Sequence, residues 1–312
     1  DSKNVKDMSK MFLSCTKLVS LTVLSSFDTS KVTDMTSMFE KCSSLTSVDL
    51  NNFKITSVKE MSYMFNECKS LKEIDLSPFK NNNLENINNL FKNCISLTSI
   101  NLKDFNTNKI EDMSYAFNGC ESLINLDLSG FDTSNVKYIN GLFSGCVSLT
   151  SLDLSKFVTS QATTMASMFS GCKKLSNINL SRFDTKNVED MYEMFGQCES
   201  IKSLNLTHFD TSKVTLLSGM FSGCTSLIYL DISKFNTKKA KYITRMFENC
   251  ISLTSLNLNN FDTNEVNDLT NLFLNCHSLI SINLKNFNTA NGYNMVNALY
   301  NCPSLIDLDL TS

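Results

Sequence analysis

Apolar residues recur along the chain with a period of 26 residues. In the unit from Cys120 to Cys146, counted from the cysteine as position 0, they occupy positions 3, 6, 8, 11, 16, 19, 22 and 23. The alternation at positions 6 and 8 is strand spacing, whereas the later steps of three, three and one are typical of a helix. Each unit is therefore predicted to contain one short strand and a helix of about three turns over positions 14 to 24.

Polar residues between these apolar groups favour the same division. Position 25 is Gly or Asn in most units, and both residues tolerate the left-handed conformation that ends a helix. Threonines recur at position 13, where a side-chain oxygen can accept from the free N–H groups of a helix N-terminus. We interpret them as helix caps rather than as a water-ordering, ice-binding face. They are Thr107, Thr133, Thr159, Thr185, Thr211, Thr237, Thr263 and Thr289.

A strand–helix unit that repeats in one direction predicts a solenoid, because no unit can bury its apolar face alone. The predicted fold class is α/β: a curved solenoid of 12 strand–helix repeats of about 26 residues, with a parallel sheet on the concave side. Residues 1–312 are predicted to form a single repeat domain, and no capping unit is visible in the sequence.

The aromatic and sulfur residues follow the same period. All 22 phenylalanines fall on positions 11 and 23, which predicts two internal aromatic columns. The 12 cysteines occur once per unit, without any CxxC pair, and the two histidines, His208 and His277, lie at unrelated positions. This spacing argues against zinc. Buried free thiols are favoured over disulfides between neighbouring units.

Composition excludes several classes of function. The net charge is −3 and no Lys/Arg-rich run occurs, which argues against nucleic acid or an anionic membrane as a partner. The sequence contains neither 18 consecutive apolar residues nor a signal peptide at its beginning, so direct membrane insertion is not expected. No nucleophile–base set or glycine-rich phosphate loop departs from the repeat. We therefore predict a protein that is not an enzyme and has no cofactor or metal.

The candidate binding residues lie at position 7, between two inward-facing strand positions, and should point outward. We predict a polar ligand-facing strip there, to which a cation could also bind. A solvated strand face with local hydrogen bonds is the favoured alternative. Glu73 and Tyr229 depart from the usual Ser at position 5 and could add specificity. The position-7 residues are Asp49, Asp75, Asn101, Asp127, Asp153, Asn179, Asn205, Asp231, Asn257, Asn283 and Asp309.

The repeat resembles a known family. The LxxLxL core of Leu149, Leu152 and Leu154 matches the start of the leucine-rich repeat, although Phe157 stands where that pattern has Asn or Cys. The string MFSGCKKLSNINL, residues 168–180, is similar to the BspA-like branch and to the 26-residue repeat of bacterial surface proteins. The resemblance implies a leucine-rich-repeat-like solenoid, display at the cell surface or secretion, and adhesion or protein binding.

Two functions are consistent with these observations. The first is a surface-displayed module that binds an extracellular protein or glycan through its concave sheet, without chemistry. The alternative is a structural protein that stacks on itself into an extracellular filament. The chain begins at position 12 and ends at position 10 of the repeat, so a second copy would continue nearly in phase.

Overall fold

The backbone coils into successive rungs of 26 residues, and short parallel strands line one side of the coil. A computed structural model describes residues 2–21, 27–79, 83–288 and 294–309. Within these ranges, the strands are β1 (Ser20–Leu21), β2 (Ser47–Val48), β3 (Glu73–Asp75), β4 (Ser99–Asn101), β5 (Ser151–Asp153), β6 (Asn177–Asn179), β7 (Ser203–Asn205), β8 (Tyr229–Asp231), β9 (Ser255–Leu256), β10 (Ser281–Asn283) and β11 (Asp307–Asp309).

The strands pair with those of the next rung and keep the register of the repeat. Leu152 of β5 lies opposite Ile178 of β6, and Leu204 of β7 lies opposite Leu230 of β8. Hydrogen-bonded strands form five small parallel sheets, in the orders β1-β2, β3-β4, β5-β6, β7-β8 and β9-β10-β11. The predicted parallel pairing is confirmed. We call this face, positions 4 to 7 of each rung, the strand side.

The predicted helices are wrong, and with them the α/β class and the strand–helix unit. No residue of the described ranges is helical. Positions 21 and 25 adopt positive φ in the turn segment, as at Tyr63 (60°) and Glu67 (58°), and a right-handed helix cannot pass through such residues. Their neighbours donate to the next rung instead: the N–H of Phe65 lies 2.9 Å from the carbonyl oxygen of Leu90.

A series of tight turns explains why the sequence pattern resembled that of a helix. The N–H groups of Met64, Cys68 and Leu71 each donate to the carbonyl three residues earlier, at 3.1–3.3 Å. Turns that follow one another at this spacing bring every third or fourth residue inward, much as a helix does. Parallel bridges at position 18 join consecutive rungs from Asp7 to Tyr242. We call positions 18 to 25 the turn side.

Both predicted phenylalanine columns are present, but only one is continuous. At position 23, eleven rings from Phe12 to Phe273 stack with centroids 5.2–6.0 Å apart. At position 11, rings contact in separate pairs, such as Phe105 with Phe131 at 6.2 Å and Phe183 with Phe209 at 6.5 Å. The interior is therefore packed most regularly behind the turn side.

The cysteines form a third interior column, and all twelve are free thiols. Those from Cys42 to Cys276 are buried, as predicted, whereas Cys15 is exposed and Cys302 is half-buried. Each buried thiol donates to a phenylalanine carbonyl of the preceding rung, as Cys146 does to Phe117 at 3.1 Å. Burial raises the pKa of Cys146 to about 12, which keeps the thiol protonated and unreactive at neutral pH.

The position-13 threonines are not helix caps, because there is no helix to cap. They are buried and connect rungs: Thr133 Oγ1 donates to the carbonyl oxygen of Val158 at 2.9 Å and accepts from the N–H of Val158 at 2.8 Å. The hydroxyl thus satisfies two backbone groups where the strand ladder has ended. Ile55 interrupts this threonine column, and Thr289 lies outside the described residues.

Candidate binding face on the strand side

The predicted polar strip lies on the outward surface of the strand side. The position-6 residues beside it point inward, and Leu152 and Leu204 are buried. Every position-7 residue from Asp49 to Asp309 is exposed or half-buried. Register places Asp153 of β5 opposite Asn179 of β6. Asp127 holds the same place in a rung to which no strand is assigned.

Local hydrogen bonds hold the side chains of this strip. Oδ1 of Asp153 accepts from the N–H of Ser155 at 2.9 Å, and Oδ1 of Asn179 accepts from the N–H of Ser181 at 3.1 Å. The same Asx turn recurs at every position-7 residue from Asp49 to Asn283. Such a turn fixes the side chain and leaves its second terminal atom, Oδ2 of Asp or Nδ2 of Asn, directed away from the backbone.

The Asx turns of Asp127 and Asp153 also favour the charged form of the carboxylate. The hydrogen bond from the backbone N–H of Ser155 holds the pKa of Asp153 below its usual value, and the bonds from Ser129 lower the pKa of Asp127 in the same way. At these two rungs the strip therefore favours a charged carboxylate, whereas its Asn positions carry neutral amides.

Two further columns of Asx turns were missed by sequence reasoning. Asp132 at position 12 accepts from the N–H of Ser134, and Asp112 at position 18 accepts from the N–H of Ser114. The spacing that could have identified the turns is an Asp or Asn followed two residues later by a small polar residue, which occurs at all three positions in the unit that starts at Cys250.

An open groove of about 820 Å³ lies over β5, β6 and β7. Asp153, Asn179 and Asn205 line it together with the position-5 residues of the same strands. His208 also lines the groove; its Nε2 lies 2.9 Å from the carbonyl oxygen of Leu180, and its ring meets Phe209 edge-on. Sequence reasoning considered His208 only as a zinc ligand and missed its place beside the strip.

The two residues that replace the usual Ser at position 5 lie beside different grooves. Tyr229 of β8 lies opposite Ser203 of β7, next to the large groove, and 61% of the tyrosine is exposed. Glu73 of β3 lines a separate groove of about 520 Å³ with Asp75 and Asn101. Tyr229 therefore lies beside the groove that Asp153 and Asn179 line, opposite its lining residue Ser203, whereas Glu73 lies at another groove.

Comparison with known proteins assigns the family. The model described as "Mycoplasma protein of unknown function, DUF285" matches residues 1–100, 85–205 and 189–309. The chain belongs to this family. Among curated proteins, none matches it.

Solved structures show the fold of this DUF285 protein. A leucine-rich repeat protein from Bacteroides ovatus is 18% identical over 98% of this chain and 77% of that one, with a TM-score of 0.52. A leucine rich cell surface protein from Faecalibacterium prausnitzii is 16% identical over 96% and 75% of the two chains, with a TM-score of 0.42. The likeness to the Bacteroides ovatus structure confirms the resemblance to leucine-rich repeats of the BspA-like type, as a solenoid with parallel strands.

The described residues of the DUF285 protein present polar groups on this face. No group of three or more His, Cys, Asp or Glu side chains among them could hold a metal ion. No helix among them is long and apolar enough to cross a membrane. What the strand side does present is a regular series of hydroxyl, amide and carboxylate groups, which suits recognition through hydrogen bonds.

Proposed function

We propose that this protein is a non-enzymatic, surface-displayed repeat protein that binds an extracellular protein or glycan through its strand side. The observation that carries the proposal is the strip of position-7 residues, which places one fixed polar group per rung on an exposed face. Fixed side chains lose little entropy when a ligand binds, so a preorganised strip favours recognition. A sheet on the concave side, as the repeat predicts, would surround such a ligand, and the open groove over β5 to β7 supports this placement.

Display at the cell surface or secretion is proposed from the resemblance to bacterial surface repeats. The buried, protonated thiols are compatible with an oxidising surrounding, because a thiol without access to solvent or oxidant stays reduced. The filament alternative stays a prediction, and none of the described contacts tests it.

The test compares two sets of aspartates that form the same Asx turn on different faces. One variant changes Asp127, Asp153 and Asp231 on the strand side to Ala. The control changes Asp132, Asp184 and Asp210, which form their turns at position 12. Capture is measured on immobilised extracellular matrix proteins and on an array of oligosaccharides.

We expect the strand-side variant to lose capture and the position-12 variant to keep it. Equal capture by both variants would move the site away from the strand side. If no matrix protein and no oligosaccharide is captured by the unchanged protein, the binding proposal fails.

A further inference from the structure

We infer that the groove over β5, β6 and β7 binds an uncharged oligosaccharide that runs along the axis of the solenoid, with Tyr229 stacked on one sugar ring. The inference rests on the proposed function of the strand side and specifies its ligand class. Four properties of the groove carry it: the polar atoms it offers, their spacing, the neighbouring aromatic ring, and the charges that line it.

The polar atoms of the groove match the diols of a sugar. Asp153 uses Oδ1 in its Asx turn, so its other carboxylate oxygen can accept from a hydroxyl. Asn179 and Asn205 accept through Oδ1 in their Asx turns. Their Nδ2 groups donate to no group within the described part of the chain, and the turn directs them away from the backbone. Adjacent hydroxyls both donate and accept, so a row of acceptors and donors on neighbouring rungs can satisfy them.

The spacing of these groups favours a sugar chain over an extended peptide. Parallel strands lie about 4.8 Å apart, so equivalent side chains recur at that distance along the axis. Successive pyranoses of an extended β-1,4-linked chain are turned over, so equivalent hydroxyls recur at every second sugar, at about the distance between every second rung. Side chains on one face of a peptide strand recur at about 6.7 Å, twice the rise per residue, and would lose register with the rungs.

Tyr229 supplies the apolar contact that a sugar ring needs. Register places it opposite Ser203 at the end of the groove, and no other position-5 or position-7 residue of the described ranges is aromatic. The residue is 61% exposed, and the neighbouring Ile228 is 51% exposed. The C–H faces of pyranoses pack on aromatic rings, so an exposed tyrosine beside a polar groove is a suitable platform.

The charges of the groove select against acidic sugars and large protein surfaces. Ser, Asn, Asp, Leu, Ile and a single His line it, without Lys or Arg. The Asp153 carboxylate would repel a uronate or sulfate, and no cation in the lining compensates. Protein interfaces depend on clusters of Trp, Tyr and Arg, and none of the residues that line the groove belongs to this group.

Isothermal titration calorimetry with defined probes tests the inference. Cellohexaose and chitohexaose are the uncharged probes, and hexagalacturonate is the acidic one. The variants are Tyr229→Ala, Tyr229→Phe and Asn179→Ala, with Tyr242→Ala as a matched control, because Tyr242 is also about half exposed (52%) but lies on the turn side.

We expect at least one uncharged probe to bind and hexagalacturonate not to bind. Tyr229→Ala should weaken that binding at least about fivefold and Asn179→Ala by about threefold to tenfold, whereas Tyr229→Phe and Tyr242→Ala should leave it unchanged. The inference is overturned if neither uncharged probe binds, if the acidic probe binds more tightly, or if Tyr229→Ala binds normally. Capture of a matrix protein that depends on the strand-side aspartates, without oligosaccharide binding, would refute this inference and leave the proposed function standing.

Discussion

The turn side and the strand side hold the rungs together in different ways. On the turn side, N–H groups such as those of Met113, Tyr115 and Phe117 donate to the next rung at successive alternate positions, over an unbroken column of rings. On the strand side, strands of two or three residues form five separate sheets, over a broken column. Cohesion is therefore greatest on the turn side, and this frees the outward residues of the strand side to vary.

The largest expected effect comes from breaking the continuous aromatic column. Phe143 stacks on Phe117 at 5.9 Å and on Phe169 at 5.8 Å, whereas Phe131 has one tilted contact, with Phe105. We expect Phe143→Ala to lower the free energy of unfolding by about 3–5 kcal/mol, and Phe131→Ala by about 1 kcal/mol less. Urea unfolding followed by circular dichroism measures both. Equal losses would show that the continuity of the column adds no stability.

The threonine column is expected to give the next largest effect. Thr159 Oγ1 donates to the carbonyl oxygen of Asp184 at 2.9 Å and accepts from its N–H at 2.8 Å. Thr159→Val keeps the shape but leaves both groups without a partner, so we expect a loss of about 1–3 kcal/mol. Thr163→Val, at an exposed threonine, is the control and should change stability by less than about 0.5 kcal/mol. If the two variants unfold at the same urea concentration, the column is not a structural connection.

The smallest expected effect concerns Glu60, at position 18 of the turn side, where parallel bridges join consecutive rungs. Partial burial raises the pKa of Glu60 above its usual value near 4.5, and the carboxylates of Asp34 and Glu85 act in the same direction. The folded state therefore holds this proton more tightly than the unfolded state. The stabilisation that comes from this protonation is complete below the usual pKa of Glu, and it is lost as the pH rises through the pKa of Glu60 in the folded state.

We expect Glu60→Gln to be slightly more stable than the unchanged protein at pH 7, by less than about 1 kcal/mol, and the difference to disappear below pH about 4. Thermal unfolding across this pH range provides the measurement, with Glu121→Gln, at an exposed position, as the control. A gain that persists at low pH would contradict the assigned cause.

Much of the interior was predictable from the sequence, because its columns depend only on the period. Phe143 and Cys146 recur every 26 residues, so any stacked coil places them beside their equivalents in neighbouring rungs. The inward Leu152 and outward Asp153 follow from the two-residue alternation of a strand. The role of Thr133 was not predictable, since a hydroxyl beside a supposed helix start is consistent with a cap.

The sequence by itself determined the repeat, the parallel pairing and the identity of the buried columns. The tertiary structure decided the conformation of the turn side, because a spacing of three residues is shared by helices and by consecutive turns. There, Tyr63, Ser167 and Arg245 adopt positive φ without being glycine. Hydrogen bonds to the neighbouring rung hold that conformation, and such bonds exist only once the rungs have stacked. The tertiary structure also decided that Tyr229 lies beside the groove that Asn179 lines, since this depends on the order of individual side chains across rungs.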